Sequence, residues 1–441
     1  MKRKAFVFLT LIVGLSLVFA ACSKGTQQSA DTAKADAGGD GQSNETIQLQ
    51  FVNWATAEEA TKEKMNKVIA AFESENPGIK IKSIPVPFSD IQNQLTVMTT
   101  AGNAPDIAQV EASVGVSLAA MGALEAVDEL LSPDFVKDLN KAYYDIGIFD
   151  QKHYLVPWGG GTNGFWYNKK VMKEAGLDPN NPPETMEQLD RALSQIKNVK
   201  DVVGIQYDTS PRPFSTTFQW PFIMLFGHEP FTRDSVQVNT LQDYAEWLRN
   251  LVNKGYTLPG KKLGEFRPLA AQNRLAFAVD APFFKGTLQS IDNTITDEAF
   301  YETWGVTTIP KGANGKTYTV GGSDHYTAIF KASKHKKEAA KFLEYIANSD
   351  AALKEYVIPM GFLPVTGSAM QRFPQQFDNP VIKAYMTKIV PSTVAPPFGS
   401  NFTSAALIFA TNMQEVITTS QPVKDILDKT HSKIEAVIAG K

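Results

Sequence analysis

The chain has 441 residues, 43% hydrophobic and 20% charged, with one cysteine, 25 prolines and 30 glycines. This composition excludes collagen-like, disulfide-stapled and wholly disordered proteins, and a length of roughly 100–200 residues per domain allows about two to four units with an unstapled core. The formal net charge of -3 is too acidic for a surface that tracks nucleic acid.

In chain order, Lys2, Arg3 and Lys4 precede an uncharged apolar stretch, residues 5–19, closed by Ala20 and Ala21. This is the pattern of an export signal, shorter than the ~20 residues a spanning helix needs. The small pair directly before Cys22 resembles the bacterial lipobox, with Phe19 where leucine is usual; there the cysteine is lipidated and becomes the new N-terminus. Removing residues 1–21 takes three of the 43 basic side chains, leaving 40 against 46 acidic ones, a charge of about -6. Residues 23–45 hold no aromatic and no periodicity, the composition of a disordered tether. The expected segments are thus a lipoprotein signal peptide at 1–21, a tether at 22–45 and a folded body from Thr46.

Residues 46–53 (TIQLQFVN) alternate as a strand does, with Trp54 at its end. Met65, Val68, Ile69 and Phe72 recur at helical spacing until Asn76, Pro77 and Gly78 stop the helix. Residues 79–86 alternate again, Ile91, Leu95 and Met98 mark a second helix ending at Gly102, and residues 106–110 read as a short buried strand. Strand and helix in alternation predict a parallel sheet covered on both faces, with ligands beyond the carboxyl ends of the strands. That rule points at Trp54 and at residues 109–113. Further on, Thr185 and Gln188 form a capping box for a helix carrying Leu189, Leu193 and Ile196, and residues 202–207 read as the next strand. Short apolar runs at 275–279 and 304–309 follow. Ser333 is expected to cap a helix with Ala339, Phe342, Leu343 and Ile346 on one face, and Val423, Ile426, Leu427, Ile434 and Ile438 mark a terminal helix.

Catalytic motifs fail their required contexts. Gly159, Gly161 and Gly164 match G-x-G-x-x-G but precede an aromatic run instead of opening a helix after a strand. Ser194 with Lys197 and Ser333 with Lys336 match S-x-x-K without a K-T-G, and read as helix surface. The five histidines have no ligand spacing, so no metal or other cofactor is expected. Paired carboxylates need proximity in space, not in sequence, and keep a secreted glycoside hydrolase open as an alternative.

Several segments together resemble the carbohydrate-binding family of ABC-transporter solute-binding proteins, the broad relatives of maltose-binding protein. They are residues 72–80 (FESENPGIK), 101–107 (AGNAPDI), 118–124 (LAAMGAL), 154–158 (YLVPW), 165–169 (FWYNK) with 175–177 (AGL), and 321–323 (GGS) ahead of 331–334 (KASK). The resemblance implies a two-lobed α/β fold of the type II periplasmic-binding-protein class, each lobe a sheet flanked by helices, joined by a multi-segment hinge. It places the first lobe at 46–156 plus 326–360 and the second at 157–325 plus 361–441. It also implies no catalysis: a sugar, an oligosaccharide above all, is held between the lobes and passed to the transmembrane subunits of an ABC permease. The protein would be a monomer on the outer face of the bacterial membrane, held through lipid on Cys22. A non-sugar ligand in the same fold is the other alternative.

A sugar offers apolar C–H faces and a rim of hydroxyls, which call for flat aromatic surfaces with carboxylate or amide partners. On that ground the expected ligand-binding residues are Trp54, Glu111, Trp158, Gly159, Gly160, Asp208, Trp220, Asp280, Gly322, Asp324 and Phe362. Trp166, Trp247 and Trp304, on periodic segments, are expected in the core.

Overall fold

The computed structural model describes residues 46–88, 90–321 and 325–440. The signal, the tether, Cys22, Gly322 and Asp324 lie outside the described residues. The body is built on two sheets. In the first, the strands stand in the order Ile79–Pro85, Ile47–Asn53, Ile107–Val110, Tyr326–Ile329, Val156–Pro157. The first three are parallel, with Ile47 opposite Ile79 and Phe51 opposite Ile107, and Tyr326–Ile329 runs antiparallel to both of its neighbours. The alternating strand and helix pattern of residues 46–110 forms as the sequence predicts, because both faces of the parallel strands are covered by helices.

Helix Glu59–Glu75 buries Met65, Val68, Ile69 and Phe72 on one face. Phe72 meets Phe342 of helix Lys336–Asn348 edge-on at 4.9 Å, and each such fully buried side chain is worth about 1.5–3 kcal/mol. Asn76 ends the helix by donating its amide N–H to the Phe72 carbonyl at 2.8 Å. Two local expectations differ in detail. Thr185 caps helix Met186–Ile196 by accepting from Gln188 N, but the Gln188 side chain reaches back to Glu184 N, one residue earlier than a capping box requires. Ser333 does not cap Lys336–Asn348, whose N-cap is His335; its hydroxyl instead donates to Asp106 at 2.5 Å. The other Asp106 oxygen accepts from Gln50 N, so this carboxylate ties the first strand to the turn at 333.

The second sheet has the order Trp304–Thr307, Gly164–Asn168, Leu275–Asp280, Val203–Ile205. Gly164–Asn168 is antiparallel to both neighbours, and Val203–Ile205 is parallel to Leu275–Asp280. Trp166, Trp247 and Trp304 are buried in the core. Helix Phe402–Thr418 packs on Pro213–Leu225, where the Thr216 hydroxyl donates to the Ala406 carbonyl at 2.7 Å, and on the terminal helix Val423–Ile438.

The chain first passes between the sheets at 158–163 and returns before Tyr326. Residues 363–372 stay beside the first sheet's helices: Asn140 N donates to Val365 O, Ser368 N to Asp138, and Arg372 to Asn348. The chain joins the second sheet only near helix Pro380–Ala384, after which the Tyr385 hydroxyl donates to Asp280 O at 2.9 Å. The first two passages are bonded side by side, Trp158 N to His325 O at 3.1 Å and Asn163 N to Val320 O at 3.2 Å, and Gly160 exchanges main-chain bonds with Leu363 at 2.8 and 3.0 Å. A Cβ on Gly160 would stand 2.8 Å from the Tyr143 ring and 2.9 Å from Leu363 Cβ. Gly160→Ala should therefore lower the unfolding free energy by about 1–3 kcal/mol, an overpacking cost read by urea denaturation; unchanged stability would mean that the approach is looser than drawn.

Candidate binding site

A cavity of about 760 Å³ opens between the two sheets. On the first side it begins where strand Ile47–Asn53 ends. Trp54 follows directly, and its carbonyl accepts from Ala57 N and Glu58 N at 2.9 and 3.0 Å, a turn that launches helix Glu59–Glu75 and sets Glu58, Thr61 and Lys64 on the wall. Phe88 leans edge-on against Trp54 at 5.2 Å. The floor is aromatic: His325 lies 4.1 Å from the Phe362 ring and 5.2 Å from Trp158, and Trp158 lies 4.8 Å from Tyr356. Phe283 closes against Phe362 at 5.3 Å.

The second side carries two arginines, each held by a buried aspartate. Asp280 ends strand Leu275–Asp280 and is fully buried; it accepts from Arg267 Nε at 3.0 Å and Nη2 at 2.9 Å, and also from Ala281 N and the Gln206 amide. Asp208, equally buried, accepts from Arg212 Nη2 at 3.0 Å, from Ser210 and from Leu263 N. Arg212 and Arg267 line the cavity, with their guanidinium groups 5.6 and 5.5 Å from the Phe214 and Phe283 ring centres. Glu265 stands on the rim, where the Lys262 N–H and the Lys261 ammonium hold its carboxyl below the ordinary range. Burial, reinforced by the nearby Asp280 charge, pushes the Tyr385 phenol well up, so it stays a neutral donor behind the site.

Of the residues expected here from sequence, Trp54, Asp280 and Phe362 line the cavity. Gly159 and Gly160 sit directly beneath it, and a Cβ at Gly159 would meet the Phe362 ring at 3.2 Å. Trp158, 1% exposed, lies under His325 and Tyr356 instead of on the wall, and its indole N–H has no acceptor among the described residues. Asp208 stands one layer behind, presenting Arg212. Two residues are elsewhere. Trp220 fills the second-sheet core against Phe231 and Phe402, because it lies on the inward face of helix Pro213–Leu225. Glu111 stands at the start of helix Ala112–Ala120, off the cavity wall.

Sequence reasoning missed Phe88, Asn163, Arg212, Phe214, Arg267, Phe283 and His325. Extending the strand-end rule past Asp280 would have found Phe283, and Arg212 is four residues beyond Asp208. Arg267 starts helix Arg267–Ala271, and only the fold brings it to Asp280. Among the described residues no three His, Cys, Asp or Glu side chains gather as metal ligands. What the arrangement can do is present donors and flat rings to a solute without a surplus of charge on its second wall. Arg267→Met leaves Asp280 buried with its main charged partner gone, and should cost about 3 kcal/mol of stability by urea denaturation; a loss below about 1 kcal/mol would show that the remaining bonds satisfy the carboxylate alone.

Residues 55–353 match the family of bacterial extracellular solute-binding proteins. A binding protein of Brucella abortus (strain 2308) is 24% identical over 379 residues, 84% of this chain and 89% of that one. The multiple sugar-binding protein of Streptococcus mutans is 23% identical over 388 residues, 83% of this chain and 84% of its own length. Among solved structures, an ABC-transporter solute-binding protein from Thermotoga lettingae bound with α-D-tagatose superposes with a TM-score of 0.77 at 20% identity, over 89% of this chain and 100% of that one. The fold is that of the type II periplasmic binding proteins. The family and these relatives are binding proteins and not enzymes, which removes the glycoside hydrolase alternative. The chain belongs to the bacterial extracellular solute-binding proteins.

Proposed function

We propose that the chain captures a neutral sugar, an oligosaccharide above all, in the cleft between its lobes and hands it to the permease of an ABC importer. The observation that carries this reading is the pairing of aromatic rings with arginines that are already matched by buried aspartates. The rings suit the C–H faces of a sugar. Arg212, its charge matched by Asp208, still offers N–H donors, and such donors serve hydroxyls, whereas an anion would meet a wall with little net charge. The volume falls in the upper part of the roughly 300–1,000 Å³ typical of small-ligand sites, which favours more than one ring. The names of relatives agree with this class: a multiple sugar-binding protein and a maltotriose-binding protein.

Trp54 and Phe362 would take the sugar faces, Arg212 and Arg267 the hydroxyls, Asp208 and Asp280 would orient those arginines, and Trp158, Gly159 and Gly160 would support the floor. A ligand touching both lobes binds the closed state better, and moving a population from 1:99 to 99:1 needs ~5.5 kcal/mol of such preference. The closed form is what the permease would read. Lipid on Cys22 would hold the protein at the outer membrane face, with residues 23–45 as the tether.

Calorimetry against maltotriose, cellotriose, raffinose, chitobiose and their monosaccharides tests the ligand class. Stoichiometric binding of a panel member, without turnover, is the expected result; silence across the panel would hand the site to a non-sugar solute. Cys22→Ser should move the protein from the membrane fraction to the medium, and retention at the membrane would refute the lipid anchor.

A further inference from the structure

We infer that Asn163 is a specificity-determining residue of the cleft, its side-chain amide reading two neighbouring hydroxyls of the bound sugar. Asn163 lies on the first passage between the lobes, immediately before strand Gly164–Asn168. The register sets Gly164 opposite Asp280, which brings Asn163 to the edge where Asp280 holds Arg267. The vacant Cβ position of Gly164 faces Tyr385 and Val306, so the alternation of an extended chain turns Asn163 to the other face. There it lines the cavity.

Its main chain is fully engaged: the N–H donates to Val320 O at 3.2 Å and the carbonyl accepts from the Thr319 hydroxyl at 2.5 Å. Its side chain differs. The residue is only 8% exposed, and its amide, which makes no hydrogen bond within the described residues, is open to the cavity and not sealed from it. A cavity-facing amide with no protein partner is available to a ligand whose groups reproduce the hydrogen bonds that water would otherwise make there. An amide carries an acceptor and two donors. One hydroxyl donating to Oδ1 and its neighbour accepting from Nδ2 satisfy it together, whereas a carboxylate or phosphate can only accept and leaves Oδ1 orphaned. The arginines select for donors' partners in general; Asn163 selects for a pair of hydroxyls in particular. Because the same residue is bonded through its main chain to Val320 and Thr319 of the second passage, sugar held on its side chain presses on both passages at once.

This inference rests on the saccharide reading, and the experiment separates the two. Wild type, Asn163→Leu and Asn163→Asp are titrated with the saccharide panel named above, and the melting temperature of each unliganded protein is recorded. Leucine matches asparagine in size and takes away no hydrogen bond of the fold, so the unliganded Asn163→Leu protein should melt no lower than wild type, while its affinity for the panel sugar that wild type binds falls by roughly tenfold or more. Asn163→Asp, which loses the donor, should weaken binding as well. Unchanged affinity in Asn163→Leu overturns the inference and leaves the saccharide reading standing. A lowered melting temperature in Asn163→Leu also overturns it, since the amide would then be holding the fold. Wild type silent across the panel brings down the saccharide reading and this inference with it.

Discussion

The main-chain bonds that join the passages between the lobes are the constraint on which the rest depends. Trp158 N to His325 O and Asn163 N to Val320 O lay two chain segments side by side, and the Gly160–Leu363 pair adds a third segment to the same floor. Those bonds fix where the aromatic side chains of the segments must stand. Trp158, His325 and Phe362 come from three distant stretches of sequence, yet their rings meet within 4.1 to 5.2 Å because their backbones are bonded neighbours. Gly159 and Gly160 permit this: a Cβ at Gly160 would stand within 2.8 Å of Tyr143, and one at Gly159 would press on Phe362 at 3.2 Å. The cavity floor is therefore a consequence of how the hinge is built, and a solute resting on it rests on the hinge.

The walls follow a different logic. The second wall owes its chemistry to buried aspartates at strand ends, which cannot stay buried without partners. Asp280 and Asp208 each recruit an arginine from a neighbouring loop or helix, and both arginines line the cavity. Burial of one residue thus dictates the orientation of another. The result is a wall rich in fixed hydrogen-bond donors and poor in free charge, preorganised before any ligand arrives, so little ordering remains to be done on binding.

How much of this was legible in the sequence depended on whether the information was local. The strand and helix alternation of residues 46–110 was plain, because period and stop signals lie within each segment. Trp54 was found by position alone, since it ends a parallel strand. The lobe boundary at 360 was read from a family pattern, whereas the contacts of Val365, Ser368 and Arg372 keep the chain beside the first sheet until after 372. Trp220 was expected in the site because a sugar calls for flat aromatic surfaces; its helix turns it inward, and helix phase in a segment apolar on nearly every side cannot be read from spacing. Arg267 and Asn163 were invisible for a third reason: each reaches the site only through the fold, Arg267 from a helix that packs it against Asp280 and Asn163 from the register that sets Gly164 opposite Asp280.

The central claim is that a sugar lies on the hinge floor between the aspartate-held arginines. A crystal structure of the protein grown with a panel saccharide measures this directly. The account predicts density for sugar rings against Phe362 and Trp54, with hydroxyls in hydrogen-bond reach of Arg212, Arg267 and Asn163. Density for the saccharide on another surface, with the cleft holding only solvent, would contradict it.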